Sequence, residues 1–153
     1  MDLLENDLTV GDRLAIRELT DRYLINMDRY RHDDWYDTVF TEDAWVKFPL
    51  GEFVGFAGLA EFHAEGRRRF ERTHHVAGGV DIAVTGDTAS VRAQLTATHV
   101  HRAADPTTYF CLGGYYDAEV VRLAGGWRMR RLEFVPVWVG GTAELPEVFR
   151  QNR

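Results

Sequence analysis

Residues 73–101, THHVAGGVDIAVTGDTASVRAQLTATHVH, restrict what this chain can fold into more than any other stretch. Residues 80–84 are a largely β-branched run and 85–88 are a turn. Residues 89–101 alternate, so the segment reads as a β-hairpin. In the second strand Val91, Ala93, Leu95, Ala97, His99 and His101 share one face, while Ser90, Arg92, Gln94, Thr96 and Thr98 share the other. A two-residue loop at Gly86-Asp87 pairs Val84 with Ala89 and Ile82 with Val91, and that register, continued, sets His74 opposite His99. A bulge at Gly78-Gly79 turns His75 onto the His99 face instead. In either register, one of two adjacent histidines stands beside His99 on a face lined by alanines. Small side chains leave space there, and imidazole titrates near neutral pH. A lone strand histidine is ordinarily hydrogen-bonded core; a converging pair is a candidate site.

The flanking sequence supplies helices first and strands afterwards. Over 13–29, Ile16, Leu19, Thr20, Tyr23, Leu24 and Met27 recur on one helical face, and Asp28 borders that stripe near the helix end. The helix dipole disfavours a carboxylate at that end unless something compensates. Asp33 or Asp34 caps a short helix carrying Trp35, Val39 and Phe40, and residues 41–43 break the chain. Residues 44–48 read as a strand stopped by Pro49 and Gly51. Gly55 opens a third helix in which Leu59, Phe62, Gly66 and Phe70 recur, with residues 67–69 largely off that face. His63 reads as structural or exposed. Beyond the loop at 102–106, two long strands, 107–123 and 127–139, are joined by 124–126. Gly113-Gly114 inside the first of them predicts a sharp bend. The expected fold class is α+β: a strongly curved, mainly antiparallel sheet against about three N-terminal helices. The tail, 140–153, is expected to be a frayed end or a lid.

A chain of 153 residues with 45% hydrophobic content suits one domain with a sizeable core. A net charge of -6 argues against nucleic acid as a partner. The acidic start lacks an export signal and no apolar run reaches membrane-spanning length, so a cytoplasmic protein with no membrane partner is expected. Cys111 is the only cysteine, which leaves no intrachain disulfide and no thiolate metal cluster. Lys47, the only lysine, reads as a solvated strand residue rather than a Schiff-base nucleophile.

A helix ending in Asp28, then Asp34-Trp35, then FTEDA at 40–44, then Phe53-Val-Gly55 opening a helix, resembles the SnoaL-like branch of the nuclear transport factor 2-like superfamily. THHVAGG at 73–79, Gln94-Leu95 ahead of His99, and Gly126-Trp127 in the last hairpin resemble the scytalone dehydratase family in particular. The resemblance spans nearly the whole chain. It implies a cone-shaped barrel of helices and bent sheet around a deep apolar pocket, in a homodimer or homotrimer. It also carries a catalytic aspartate onto Asp28 and two histidines onto His75 and His99. Two tyrosines and an asparagine of that family's pocket are not reproduced: Met27 stands at one tyrosine, Lys47 or Phe48 near the other, and Tyr116 or Asp117 near the asparagine.

The chemistry these residues suggest is acid/base work without a cofactor. A carboxylate bonded to an imidazole fixes its tautomer and raises its basicity, so a proton can be removed beside a carbonyl and returned to a departing hydroxyl. The expected roles are His75 as general base and His99 with Asp28 as a supporting acid dyad. Tyr115 or Tyr116 would hydrogen-bond an enolate, with strand parity admitting only one of them. Trp45, Phe48, Phe53, Phe56, Phe110 and Trp138 are the candidate walls for a small hydrophobic substrate, a polyketide-like or polycyclic ketone. The expected activity is that of a dehydratase, cyclase or isomerase. Two alternatives compete: a metal enzyme using His99 and His101 with His74 or His75, and a non-catalytic hydrophobic-ligand-binding module.

Overall fold

The computed structural model describes residues 3–29 and 33–150, of which 3–8 by backbone alone. The chain runs α1 (Leu3–Arg29), α2 (Tyr36–Val39), β1 (Phe40–Phe48), β2 (Gly51–Val54), α3 (Gly55–Arg69), β3 (Arg72–Thr85), β4 (Thr88–Arg102), β5 (Asp105–Leu123), β6 (Gly126–Gly141) and α4 (Glu147–Arg150). The strands make one sheet in the order β2-β1-β6-β5-β4-β3. Only β1 and β6 run parallel; the other neighbours are antiparallel. The sheet curls but does not close, so the α+β expectation holds as an open cone rather than a sealed barrel. Of the expected tail, 140–150 continues β6 and ends in α4, and 151–153 lie outside the described residues.

The expected stripe on α1 is the buried one: Ile16, Leu19, Thr20, Tyr23 and Leu24 are all at most 3% exposed. With β3 at the end of the strand order, α1 lies against its unpaired edge and satisfies it chemically. Arg13 donates to the Ile82 carbonyl at 2.6 Å, and further along Asp28 accepts the His75 N–H at 2.8 Å. Among the described residues, no helix is long and apolar enough to cross a membrane.

Two local readings are corrected, and a third is located more finely. Residues 41–43 do not break the chain, and Phe40 is not helical: β1 starts at Phe40, pairing it with Met129 before an irregularity after which pairing resumes at Trp45 with Arg131. Residues 51–54 form a strand of their own, paired with β1 from Phe48↔Gly51 to Trp45↔Val54. Gly51, at φ 151°, takes the turn that a side chain would resist. The bend at Gly113-Gly114 is present, with the extra residue on β6: Gly113 faces Trp138 and Gly114 faces Pro136, leaving Val137 unpaired. A Cβ on Gly113 would enter the Trp138 indole, and one on Gly114 would enter the Val135 carbonyl.

Candidate active site

Between β3 and β4 the register slips between Ala77 and Val80, which is the bulge at Gly78-Gly79. Before the slip His75 pairs with Ala97 and Thr73 with His99. His75 therefore shares the inner face with Ala97 and His99, while His74 points to the exposed side. The bulge decides that His75, and not His74, is the histidine that faces inward.

His75 meets Asp28. Its Nδ1 lies 2.6 Å from Asp28 Oδ1, which also accepts the Thr73 hydroxyl at 2.9 Å, while Oδ2 accepts the His75 N–H. The His75 side chain is 6% exposed. Burial alone would push the Asp28 carboxyl up, but the hydrogen bonds and charge of His75, with the Thr73 hydroxyl, hold it below its ordinary value. The unfavourable position at the end of α1 is thus compensated by three donors from β3. An ionised carboxylate only accepts, so the proton between the two groups sits on His75 Nδ1, and the neutral form of that ring has its lone pair on Nε2. That is the arrangement of a general base.

His99 stands with its ring 5.8 Å from that of His75, nearly perpendicular to it, and packs between Phe70 at 4.8 Å and Phe110 at 5.3 Å. Its Nδ1 is buried and makes no well-formed hydrogen bond, with the Phe110 backbone a weak neighbour that favours the protonated ring. Burial, reinforced by His75, outweighs that and lowers its pKa to about 4. The expected pairing is corrected here: Asp28 bonds His75, and His99 is a neutral imidazole without a carboxylate. The end of α1 brings Asp28 to β3, which carries His75, and not to β4, which carries His99.

The two histidines line both lobes of a branched cavity, of about 110 and about 100 Å³. The larger lobe is almost wholly apolar, walled by Met27, Phe48, Leu95, Ala97, Leu112 and Phe134 among others, with Phe149 of α4 across it beside Phe110. Of the candidate wall residues, Phe48 and Phe110 line this lobe. Phe53 and Phe56 pack behind it, against Phe62 and Tyr36 respectively. Trp45 and Trp138 lie away from it. Trp45 sits beneath Arg131, 3.8 Å from its ring, and donates to Glu52; Trp138 is 47% exposed in a groove on the opposite sheet face. Strand parity separates the tyrosines as well. Tyr116 is fully buried in the cavity wall beside Tyr23, and burial raises its hydroxyl pKa. Tyr115 is on the other face under Arg92, 4.2 Å away, and is corrected out of the site.

Lys47 pairs with Glu133 at 3.0 Å, half-exposed and away from the pocket. His101 directs Nδ1 to the Arg69 carbonyl. Among the described residues, no group of three or more His, Cys, Asp or Glu side chains is placed to hold a metal ion, so the metal reading lacks its ligand set.

The smaller lobe holds what the sequence did not show. His63, on α3, lines it together with His75 and His99. Its Nδ1 is 2.6 Å from the Tyr36 hydroxyl, which reaches Asp33 at 2.9 Å, and Asp33 is clamped by Arg67 at 2.9 and 3.0 Å. His63 and Arg67 are one turn apart on α3, and Asp33 lies in the bend ahead of α2, three residues before Tyr36.

Comparison with known proteins agrees with this architecture. The model of the SnoaL-like domain matches residues 9–133. The uncharacterized protein Rv2910c of Mycobacterium tuberculosis is 34% identical over 127 residues, 81% of this chain and 85% of its own. A solved Novosphingobium aromaticivorans protein described as an aromatic ring hydroxylase is 30% identical, with a TM-score of 0.79 over 87% of this chain and 94% of its own. A second protein of that organism, described as a scytalone dehydratase, superposes with a TM-score of 0.79 at 22% identity, over 92% of this chain and 93% of its own; that likeness is one of fold.

Proposed function

This chain belongs to the SnoaL-like domain family, and from that membership and the pocket we propose that it is a cofactor-independent acid/base enzyme acting on a hydrophobic cyclic ketone. The observation that carries the reading is the Asp28–His75 dyad, a carboxylate and an imidazole 2.6 Å apart at the junction of two apolar lobes.

The step follows from the proton positions. His75 Nε2 takes a proton from the carbon beside the substrate carbonyl, and the electron pair moves into an enolate. The imidazolium that forms is stabilised by Asp28, whose hydrogen bond to Nδ1 strengthens as the charge appears. In a β-hydroxyketone the enolate re-forms its carbonyl, the carbon–oxygen bond breaks, and the proton on His75 Nε2 leaves with the hydroxyl as water. In an isomerisation the same proton returns to another carbon. His99, neutral beside His75, contributes an N–H donor without adding a second charge. Of the two candidate tyrosines, Tyr116 is the one on the inner face, and it is assigned the contact with the enolate. Such general-base assistance typically contributes about a hundred- to ten-thousandfold in rate. In the larger lobe Arg69 is the one charged side chain beside the two histidines among the described residues, which supports an uncharged ring as substrate there, and one 30%-identical structure is itself described by its aromatic-ring chemistry.

The test is incubation of the protein with a panel of cyclic ketones and β-hydroxyketones in deuterated water, followed by mass spectrometry. Label uptake beside the carbonyl, with loss of water from the hydroxyketones, is the expected result. Tight binding of these compounds with neither outcome would instead favour a ligand-binding module.

A further inference from the structure

His63 has a proton arrangement that can be deduced from its neighbours. Asp33 is held as a carboxylate: burial raises its pKa, but the two-pronged Arg67 contact and the Tyr36 hydroxyl bring it below the ordinary value. A carboxylate donates nothing, so the Tyr36 hydrogen points at Asp33 Oδ1. That hydroxyl has no second hydrogen. At 2.6 Å it must therefore accept from His63, which places the His63 proton on Nδ1. Burial keeps the ring neutral near pH 7, lowering its pKa to about 4 against the pull of Asp33. His63 Nε2 then carries a bare lone pair. This atom is buried and has no protein hydrogen-bond partner, and the ring is packed by Trp35, Tyr36 and Phe62.

We infer that His63 is a specificity-determining residue: the smaller lobe selects ring substrates carrying a hydroxyl, whose hydrogen is donated to His63 Nε2. The inference takes its pocket from the proposed function but does not depend on its chemistry. A merely packed histidine would not need its tautomer set by a three-residue relay anchored on an arginine, and an apolar ring would fill the same space. The relay instead fixes an acceptor, with no donor capacity, on a wall shared with the catalytic pair. A methoxy group or a hydrogen at the same ring position offers nothing to that acceptor. A phenol or alcohol does, and a site built around a polar group discriminates strongly against analogues that leave it unpaired.

The experiment is calorimetric binding of α-tetralone and its phenolic analogues, one hydroxyl position at a time, to wild type, His63→Phe and Tyr36→Phe. Phenylalanine keeps the ring packing and removes the acceptor. Wild type is expected to bind at least one phenolic analogue about tenfold more tightly than α-tetralone. In His63→Phe that preference is expected to vanish, and in Tyr36→Phe it is expected to weaken. Nitrogen-15 spectra of wild type should show His63 protonated on Nδ1, a readout that needs no variant to fold. A proton on Nε2, a preference that survives in His63→Phe, or no phenolic analogue preferred would overturn the inference. The same compounds report label uptake in deuterated water. Hydroxyl preference without uptake would remove the catalytic reading alone, and uptake without hydroxyl preference would remove this one alone.

Discussion

Replacing Asp28 by asparagine keeps the number of heavy atoms and changes little volume, yet it removes the one carboxylate that three β3 donors share. The carboxylate accepts from Thr73 at 2.9 Å, from the His75 backbone at 2.8 Å and from His75 Nδ1 at 2.6 Å. An asparagine amide has one acceptor oxygen. With that oxygen toward Thr73 and Nδ1, the NH2 faces the His75 N–H. Turned the other way, the NH2 faces Nδ1–H and drives His75 into its other tautomer. The first orientation sets donor against donor in a half-buried site, and the second holds the imidazole in the wrong tautomer for a base at Nε2. Losing a charge-assisted bond and leaving a donor unpaired amounts to about 2–5 kcal/mol of stability. The pH dependence has a definite sign. Asp28 titrates below the ordinary carboxylate value, so its contribution is fully present above that value and is lost as pH falls through its own lower one. Urea unfolding near neutral pH should show Asp28→Asn less stable than wild type by that amount, with the gap closing in acid. Equal stability at neutral pH, or a gap that does not change in acid, would refute the reasoning.

Gly114→Ala should lower stability by about 1–3 kcal/mol in the same unfolding assay, because its Cβ would meet the rigid Val135 carbonyl, whereas Gly79→Ala, with open space around it, should be tolerated. Wild-type stability should fall as pH drops from about 6.5 toward about 4, since unfolded His99 and His63 take up protons that the folded protein excludes. His99→Phe should flatten that slope, and an unchanged slope would contradict the burial argument. Tyr116→Phe should slow label uptake beside the carbonyl about tenfold while Tyr115→Phe leaves it unchanged; equal effects would remove Tyr116 from the site.

Periodicity carried much of the architecture. The α1 stripe and the hairpin pairing next to the turn follow from spacing, since each rests on residues near in sequence whose side-chain directions are dictated by 3.6- or 2-residue repeats, whereas spacing alone left the straight register and the glycine bulge as alternatives. Where periodicity was absent, legibility stopped. β2 is a four-residue strand with no alternation long enough to register beside Pro49. Trp45 and Trp138 look like pocket walls by composition, but aromatics occupy both faces of this sheet, and only the curl tells which face is enclosed. The pairing of Asp28 with His75 rather than His99 depends on which edge strand the end of α1 meets, a contact 47 residues apart in sequence. His63 was illegible for a similar reason: its partners Asp33 and Tyr36 come from the other side of β1 and β2 in the chain. The outward groove at Val76, Gln94, Tyr115 and Trp138 was equally invisible, since strand parity alone does not say which face is outer.

The central claim is that His75 Nε2 removes a carbon-bound proton. The most direct measurement is label uptake into α-tetralone in deuterated water by wild type and His75→Ala, with and without added imidazole. Loss of uptake by about a hundredfold or more, partly restored when imidazole fills the space beside Asp28, is the predicted result. Uptake in His75→Ala as fast as in wild type would contradict it.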